Sequence, residues 1–313
     1  MIFFSAAAAI IPMLVYLFII WKFDRYDREP IGLVLLNYFW GSFGAVILTL
    51  LFSGILLKIL SYLFNEFYFS DFYQIIILAP VVEEIMKGLF LLITVQNKKF
   101  DNLTDGIVYG AAIGLGFGMT ENFIYFLQNS QTIQTWVYLV IVRTLFSAVM
   151  HCVATGTFGA FLGYAKFKRG VKKILIALPG LLTAILIHVS WNTFVSFKST
   201  TWLGILFMIL SVIIFMISFS MSLAKERKII FAELLEESQT GLIPAAHLSI
   251  INSPVRNKSG WIDDNIRKSY VSTAIKLAFR KMQFKNSIGI NKEYYEAEIQ
   301  NLRSTIQKLL WKT

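Results

Sequence analysis

Apolar runs of about twenty residues recur along residues 1–224 of the chain. Each run is long enough to cross about 30 Å of hydrocarbon as an α-helix, and a helix satisfies its own backbone hydrogen bonds there. Charged residues make up 15% of the sequence, against about a quarter in soluble domains. The pattern predicts an all-α, polytopic transmembrane helix bundle of about seven spans, at residues 2–21, 34–60, 72–95, 105–128, 135–164, 173–197 and 201–224.

Basic residues alternate between the loops and so predict the orientation of the spans. The loops after the first, third, fifth and seventh runs each hold two to five lysines or arginines. The intervening loops at 61–71 and 129–134 hold none, and 198–200 holds only Lys198. Because basic loops stay in the cytoplasm, we predict an integral protein of a bacterial-type cytoplasmic membrane, with its N-terminus outside and its C-terminal tail inside. The net charge of +10 follows from this topology and indicates no nucleic-acid partner.

The last part of the chain, residues 225–313, differs from the apolar bundle at 1–224. It holds 15 Lys and Arg against 9 Asp and Glu, and no run long enough to span a bilayer. Apolar residues recur with helical spacing at 265–285 and 292–311. We predict a basic, helical cytoplasmic tail there, in which His247 lies in a solvated loop.

Ionisable and amide side chains are rare inside the predicted spans, where each charged residue costs roughly 2.5–3.5 kcal/mol to insert. Away from the ends of the spans they are Glu83, Glu84, Lys87, Glu121, Asn122, Arg143, His151, His188 and Asn192. Because such residues are functional by default, we predict that the chemistry of the protein lies among them. Arg143, in the outer third of its span, is interpreted instead as a structural residue whose side chain snorkels toward water.

Helical geometry brings these side chains toward a common site. His188 and Asn192 are four residues apart and share one helix face, as do Glu83 and Lys87. Counting about 1.5 Å of rise per residue from the loops, four residues on four different spans fall in one layer between the bilayer midplane and the outer leaflet: Glu83, Glu121, His151 and His188. A single intramembrane site is therefore predicted.

Four motifs now follow one another, each on its own span: "EEIMK" at 83–87, "FGMTEN" at 117–122, His151, and "HVSWN" at 188–192. Together with the loop "DRYDREP" at 24–30, they resemble the ordered motifs of the PrsW family of intramembrane proteases. The resemblance covers roughly residues 20–225. The PrsW family is distantly related to the CAAX prenyl endopeptidases and to bacteriocin-immunity-type membrane proteases, whose signatures are EExxxR, FxxxH and HxxxN.

The resemblance implies hydrolysis of a peptide bond within or beside the membrane. Glu83 would be the general base that activates water, and Glu84 would support it or hold an ion, with Lys87 balancing the charge. His188 and Asn192 would polarise the scissile carbonyl and stabilise the oxyanion. Which of the two adjacent glutamates is the base stays open.

This chain departs from the FxxxH signature, because Phe117 is followed four residues later by Glu121 and the second histidine comes from the next span. The catalytic set therefore includes His151 and Glu121, with Asn122 in support. Two histidines and up to three glutamates suit a catalytic divalent metal, zinc above all. The predicted ligands are Glu84, Glu121, His151 and His188. HExxH is absent, so a metal-free glutamate protease is the alternative.

The family resemblance also implies a partner. PrsW proteins are associated with trimming a single-span anti-sigma factor on its extracytoplasmic side, so we predict a single-span membrane protein in the lipid bilayer as the substrate. Two alternatives stay open, namely a CAAX-like or peptide-processing membrane protease and a proton- or cation-coupled transporter that uses the Glu/His cluster. The oligomeric state and the role of the tail are not predicted.

Overall fold

The computed structural model describes residues 1–63, 71–129 and 131–311, and every regular element within these ranges is helical. The predicted all-α class is confirmed. Ten helices follow one another along the described residues: α1 (Ile2–Phe23), α2 (Ile31–Leu63), α3 (71–94), α4 (Leu103–Gln128), α5 (Ile133–Ala165), α6 (Val171–Ser196), α7 (Thr201–Gln239), α8 (Ala245–Ile251), α9 (Asp264–Asn286) and α10 (Ile290–Leu310).

Six of these helices are long and apolar enough to cross a membrane by length and composition: α1, α2, α4, α5, α6 and α7. They coincide with six of the predicted spans and make the chain an integral membrane protein. The predicted span at 72–95 corresponds to α3. This helix carries three charged residues in its middle, so length and composition alone do not identify it as a membrane span. Its crossing of the bilayer stays a prediction. Residues 64–70 and 130, in the two predicted outer loops without basic residues, lie outside the described ranges.

The chain divides into two compact units. The first comprises Met1–Asp24 and Glu29–Phe219, and the second comprises Arg25–Arg28 and Ser220–Thr313. Helix α7 contributes its first part to one unit and its last part to the other. The predicted domains at 1–224 and 225–313, and the cytoplasmic placement of the latter, stay predictions.

Helix α4 lies at the centre of the first unit and packs closely against α5 through glycines. Four of them recur at every fourth position and line one face of α4: Gly106, Gly110, Gly114 and Gly118. A Cβ atom added at Gly114 would come within 3.0 Å of the backbone of His151, and one at Gly106 within 3.0 Å of the backbone of Gly159. Small residues allow such approach between helices in lipid. The glycine face therefore sets how near the His151 backbone lies to α4.

Replacing Gly114 with alanine is accordingly expected to push α4 and α5 apart and to destabilise the protein. Overpacking of this kind costs about 1–3 kcal/mol, and it moves His151 away from α4. Thermal unfolding in detergent measures the first effect. Gly54→Ala is the control, since a Cβ there meets nothing within 4 Å and alanine favours the helix. Equal melting temperatures for the two variants would contradict the packing argument.

A π-helical turn interrupts three of the long helices within the described residues, at Trp40–Ala45 in α2, Gln74–Leu78 in α3 and Arg143–Ser147 in α5. Such wide turns are frequent at functional sites, and they rotate the side chains that follow relative to a regular helix. In α3 the turn ends five residues before Glu83. The direction in which the polar side chains of α3 and α5 point thus depends on these turns, which the periodicity of the sequence does not predict.

The second unit has its own apolar core, formed by the end of α7 and by α8, α9 and α10. Charged residues join its helices, since Lys281 lies 2.7 Å from Glu237, and Arg303 donates to both oxygens of Glu237 at 2.7 and 2.9 Å. The prediction of a solvated loop at His247 is wrong. His247 lies in α8, its Nδ1 is 3.1 Å from the Tyr270 hydroxyl, and its ring meets the edge of Trp261.

Candidate active site

The site begins on α3 with Lys87, whose side chain is fully buried. Its ammonium lies 2.7 Å from Glu84 Oε1, 3.5 Å from Glu83 Oε2 and 4.0 Å from the centroid of the Phe117 ring. A buried charge needs such partners because its desolvation otherwise costs several kcal/mol. The i, i+3 and i, i+4 spacing on one helix thus forms a local ion cluster, whose tightest pair is with Glu84.

Glu84 connects α3 to two neighbouring helices. Its Oε2 accepts a hydrogen bond from the Thr155 hydroxyl at 3.0 Å, and its Oε1 lies 3.0 Å from His188 Nδ1. A carboxylate only accepts, so Nδ1 of His188 carries the proton and the lone pair is on Nε2. That Nε2 atom lies 3.8 Å from Glu83 Oε2. Glu84 therefore orients His188 with its basic nitrogen toward Glu83, as carboxylates orient metal-binding histidines.

His151 lies between Lys87 and Glu121. Its Nδ1 is 2.8 Å from the Lys87 ammonium, and its Nε2 is 2.7 Å from Glu121 Oε2. Because an ammonium only donates and a carboxylate only accepts, Nδ1 holds the lone pair and Nε2 the proton. The rings of His151 and His188 meet edge to face, with their centroids 4.8 Å apart. Both basic nitrogens therefore belong to one buried cluster.

Arg143 lies beside Glu121 at the edge of the cluster, contrary to the interpretation of a snorkelling structural residue. Its guanidinium lies 2.9 Å from Glu121 Oε2, and its Nε donates to Asn122 Oδ1 at 3.1 Å. It also lies 3.6 Å from the centroid of the Tyr125 ring, and its side chain is only 12% exposed. The sequence offers one indication that Arg143 contacts the cluster. It precedes His151 by about two turns on the same helix, so the two side chains lie on similar faces.

The structure thus joins six of the predicted site residues in one network: Glu83, Glu84, Lys87, Glu121, His151 and His188. Asn122 joins it through Arg143. Asn192 instead donates to the backbone carbonyl of Ile75 at 2.9 Å, in the π-helical turn of α3. Thr155 was missed, although it lies four residues after His151 and therefore on the same helix face.

Three side chains of the network could hold a metal ion. Glu83, His151 and His188 each offer a ligand atom, and these atoms all lie within 4.8 Å of one another. Two imidazole nitrogens and one carboxylate oxygen match the donor types of catalytic zinc sites. The Lys87 ammonium, already a cation, contacts the Glu83 carboxylate and the Nδ1 of His151. The chemistry of the donors therefore fits a divalent metal.

This group differs from the predicted ligand set. Glu84 accepts from Thr155, Lys87 and His188, while Glu121 lies against His151 and Arg143. Both glutamates thus contact the histidines by hydrogen bonds and stand outside the group that could hold the metal.

The "DRYDREP" loop forms a second buried cluster. Glu29 accepts a hydrogen bond from the Tyr109 hydroxyl, and its backbone N–H donates to Asp24 Oδ2 at 3.0 Å. Burial raises the pKa of Glu29 to about 8, against the lowering effect of its hydrogen bonds with Asp105 and Tyr109. Tyr109 precedes Glu121 by twelve residues on α4, which is about 18 Å along the helix. This cluster is therefore separate from the site at the histidines.

The raised pKa predicts that stability depends on pH through Glu29. The folded chain holds this proton up to about pH 8, whereas the ordinary pKa is 4.5, so stability is greatest below pH 4.5, falls as pH rises from 4.5 to about 8, and then stays level. We expect Glu29→Gln to flatten this fall, measured as unfolding in detergent between pH 5 and 9. The exposed Glu296→Gln is the control and leaves the profile unchanged. A wild-type profile with no fall would contradict a neutral, buried Glu29.

Six helices apolar enough to cross a bilayer make the chain an integral membrane protein, and a glutamate and two histidines that could hold a metal ion lie together in it. Residues 29–221 match the sequence profile described as PrsW family intramembrane metalloprotease. The chain belongs to this family, and the resemblance predicted from the ordered motifs is confirmed. It is an intramembrane protease, a hydrolase of a family that uses a metal.

Several relatives carry the name Protease PrsW. That of Clostridioides difficile (strain 630) is 31% identical over 214 residues, which are 67% of this chain and 86% of the relative. That of Bacillus subtilis (strain 168) is 27% identical over 63% of this chain and 84% of the relative. That of Oceanobacillus iheyensis is 29% identical over 65% and 89%. No solved structure matches the chain significantly.

Proposed function

We propose that the protein cleaves a single-span membrane protein near the extracytoplasmic face, with a water molecule activated by a glutamate. The observation that carries this proposal is the group of Glu83, His151 and His188, buried among apolar helices with their donor atoms within 4.8 Å. Peptide hydrolysis needs a base for the attacking water and a positive or hydrogen-bonding group for the carbonyl oxygen. Both kinds of group meet here.

Glu83 is the proposed general base. Its side chain is 12% exposed, whereas those of Glu84 and His188 are 1% and 3% exposed, so water reaches Glu83 more readily than its neighbour Glu84. Its contacts are also long, at 3.5 Å to Lys87 and 3.8 Å to His188. A loosely held carboxylate keeps lone pairs for a proton from water. Glu84, by contrast, has hydrogen-bond partners on both oxygens.

His151 and His188 are the proposed metal ligands, through Nδ1 and Nε2, and zinc is the proposed metal. When bound, zinc would lower the pKa of a water molecule and polarise the scissile carbonyl. Glu84 and Glu121 would each orient one of the two imidazoles, as hydrogen-bonded carboxylates do in other metal sites. Lys87 balances the charge of the two adjacent glutamates, and its ammonium would have to leave the Nδ1 of His151 for that nitrogen to hold a metal.

The oxyanion is proposed to be stabilised by the amide of Asn192, whereas His188, whose Nδ1 proton contacts Glu84, would act on the carbonyl only through a metal held at its Nε2. The two residues are one turn apart on α6, and an amide carries two N–H donors, of which one contacts Ile75. Asn122 supports the site from α4 by holding Arg143 against Glu121. These contacts make the donors rigid, which electrostatic stabilisation of an oxyanion requires.

The proposed orientation, with the N-terminus outside, brings the base toward the outer leaflet and favours cleavage on the extracytoplasmic side. A single-span anti-sigma factor is the proposed substrate, on the strength of the family resemblance. A CAAX-like protease would meet its prenylated substrate from the cytosolic side. Membership in a protease family also favours peptide hydrolysis over transport of protons or cations.

Proteoliposomes that hold the full chain test this proposal. We expect cleavage of a single-span protein with an extracytoplasmic C-terminal domain, inhibition by a chelator, and recovery with zinc. His188→Ala should lose both activity and bound metal, while His247→Ala, which removes a histidine of the second unit, keeps both. Cleavage of a prenylated peptide instead, proton flux that depends on Glu83, or full activity without bound metal would overturn the corresponding part of the proposal.

A further inference from the structure

An apolar cavity of about 630 Å³ lies among α4, α5, α6 and α7. It extends from Val153 and Ile187, which neighbour the two histidines along the chain, to Tyr164 and Leu175 at the turn that joins α5 to α6. Val153 and Tyr164 are eleven residues apart, so the cavity is about 16 Å long. An elongated, apolar space of this volume is in the roughly 300–1,000 Å³ range of small-molecule sites.

Three hydroxyl groups in the cavity wall are used by the helices themselves. The hydroxyl of Thr157 donates to the carbonyl of Val153 at 2.7 Å, that of Thr183 to Pro179 at 2.8 Å, and that of Ser218 to Ile214 at 2.9 Å. These hydroxyls therefore need no hydrogen bond from a ligand. The wall favours a hydrocarbon occupant.

One end of the cavity carries positive charge. The short segment between α5 and α6 and the first turn of α6 hold the exposed residues Lys168, Arg169 and Lys172. The ammonium of Lys168 lies 5.8 Å from the ring centroid of Tyr164, which itself lines the cavity. Lys166, in the same segment, donates instead to the carbonyls of Val95 and Asn97. Basic groups beside membrane helices attract anionic lipid headgroups.

We propose that the cavity binds one acyl chain of an anionic phospholipid, whose phosphate is held by Lys168, Arg169 and Lys172. The volume supports a single chain. A methylene group takes about the space of a water molecule, about 30 Å³, so a chain of sixteen to eighteen carbons fills on the order of 500 Å³. The cavity of about 630 Å³ accommodates it.

The transmembrane helix of a substrate fits this space less well. A spanning helix about 10 Å across and about 30 Å long fills roughly 2,400 Å³, about four times the cavity volume. A helical substrate also gives no reason for the three basic residues at one end. Volume and charge thus both favour the lipid. The bound chain would contact both α5 and α6 and so help to hold His188 in place.

Native mass spectrometry of the full chain in detergent tests this proposal, with dioleoyl phosphatidylglycerol and dioleoyl phosphatidylcholine as the probes. We expect one retained phosphatidylglycerol per chain and much weaker retention of phosphatidylcholine. The double variant Arg169→Gln, Lys172→Gln should bind phosphatidylglycerol about 20–30-fold more weakly, at about five-fold per basic residue. Lys98→Gln, Lys99→Gln, which changes exposed basic residues of another loop, is the matched control and should bind as the wild type does.

Filling the cavity separates this site from general lipid adhesion. Ala160→Trp should abolish retention of the lipid, and Thr157→Phe serves as a second filling variant if the first does not fold, as judged by gel filtration. Equal retention of both lipids by the wild type, or unchanged retention by a folded filling variant, would overturn the proposal. Displacement of the lipid by one hydrophobic single-span peptide per chain would also overturn it, because the cavity would then belong to the substrate.

Discussion

Lys87→Met is expected to destabilise the folded protein by about 3–5 kcal/mol, the usual cost of removing one partner from a buried ion pair. The ammonium is fully buried and lies 2.7 Å from Glu84 and 3.5 Å from Glu83. Methionine fills a similar volume but leaves two adjacent carboxylates without their common counter-charge. Chemical unfolding in mixed micelles, compared with the wild type, measures the loss. We expect cleavage activity to disappear with it.

A second substitution shows whether charge or packing causes that loss. Lys87→Met combined with Glu84→Gln should recover part of the lost stability, because one of the two unpaired charges is then gone. The exposed Lys99→Met should leave stability within about 0.5 kcal/mol of the wild type. If Lys87→Met alone is as stable as the wild type, then Lys87 is not the counter-charge of the glutamates. If the double variant recovers nothing, packing around Phe117 is the cause.

The helices were predictable from the sequence because lipid permits few kinds of backbone. Long apolar runs form helices there, and six of the predicted spans coincide with apolar helices of the structure. Helix α3 shows the limit of that reasoning. Because of its three charged residues, composition alone does not identify it as a membrane span, yet in the structure these residues are buried against other helices. Whether a charged helix is buried depends on its neighbours, which composition does not describe.

That these side chains come together was also predictable, because ionisable residues inside apolar runs are rare. The contacts that each of these side chains makes were not predictable. Spacing on α3 predicted a pair of Glu83 with Lys87, whereas the shorter contact is with Glu84. The contacts of Lys87 with His151 and of Glu84 with His188 depend on how α3, α5 and α6 are rotated about their axes. That rotation follows from glycine packing and π-helical turns, which are tertiary features.

Arg143 and Asn192 illustrate the same limit in opposite directions. The position of Arg143 near the end of a span predicts a snorkelling side chain, but the residue starts a π-helical turn and pairs with Glu121 at 2.9 Å. Asn192 shares a helix face with His188, yet its amide donates to Ile75. Sequence spacing gives the face of a helix. The partner on that face is decided by the neighbouring helix.

Glu83→Gln is expected to lower kcat for peptide hydrolysis by about 10²–10⁴-fold, the range that general-base catalysis contributes. Glutamine has nearly the same shape and cannot take a proton from water. Because the contacts of Glu83 are long, at 3.5 and 3.8 Å, stability and bound metal should stay near wild-type values. Single-turnover cleavage in proteoliposomes, thermal unfolding and metal analysis of the same preparation measure the three quantities.

Glu84→Gln is the matched variant, on the neighbouring residue and with the same chemical change. It weakens the contacts with Lys87, Thr155 and His188, so we expect stability, bound metal and activity to fall together. If Glu83→Gln loses its metal along with its activity, Glu83 is a ligand and another group is the base. If it stays active, Glu83 has neither role. Because adjacent helical residues point about 100° apart, the contrast between these two variants would distinguish the residue that acts on water from the residue that holds the histidine.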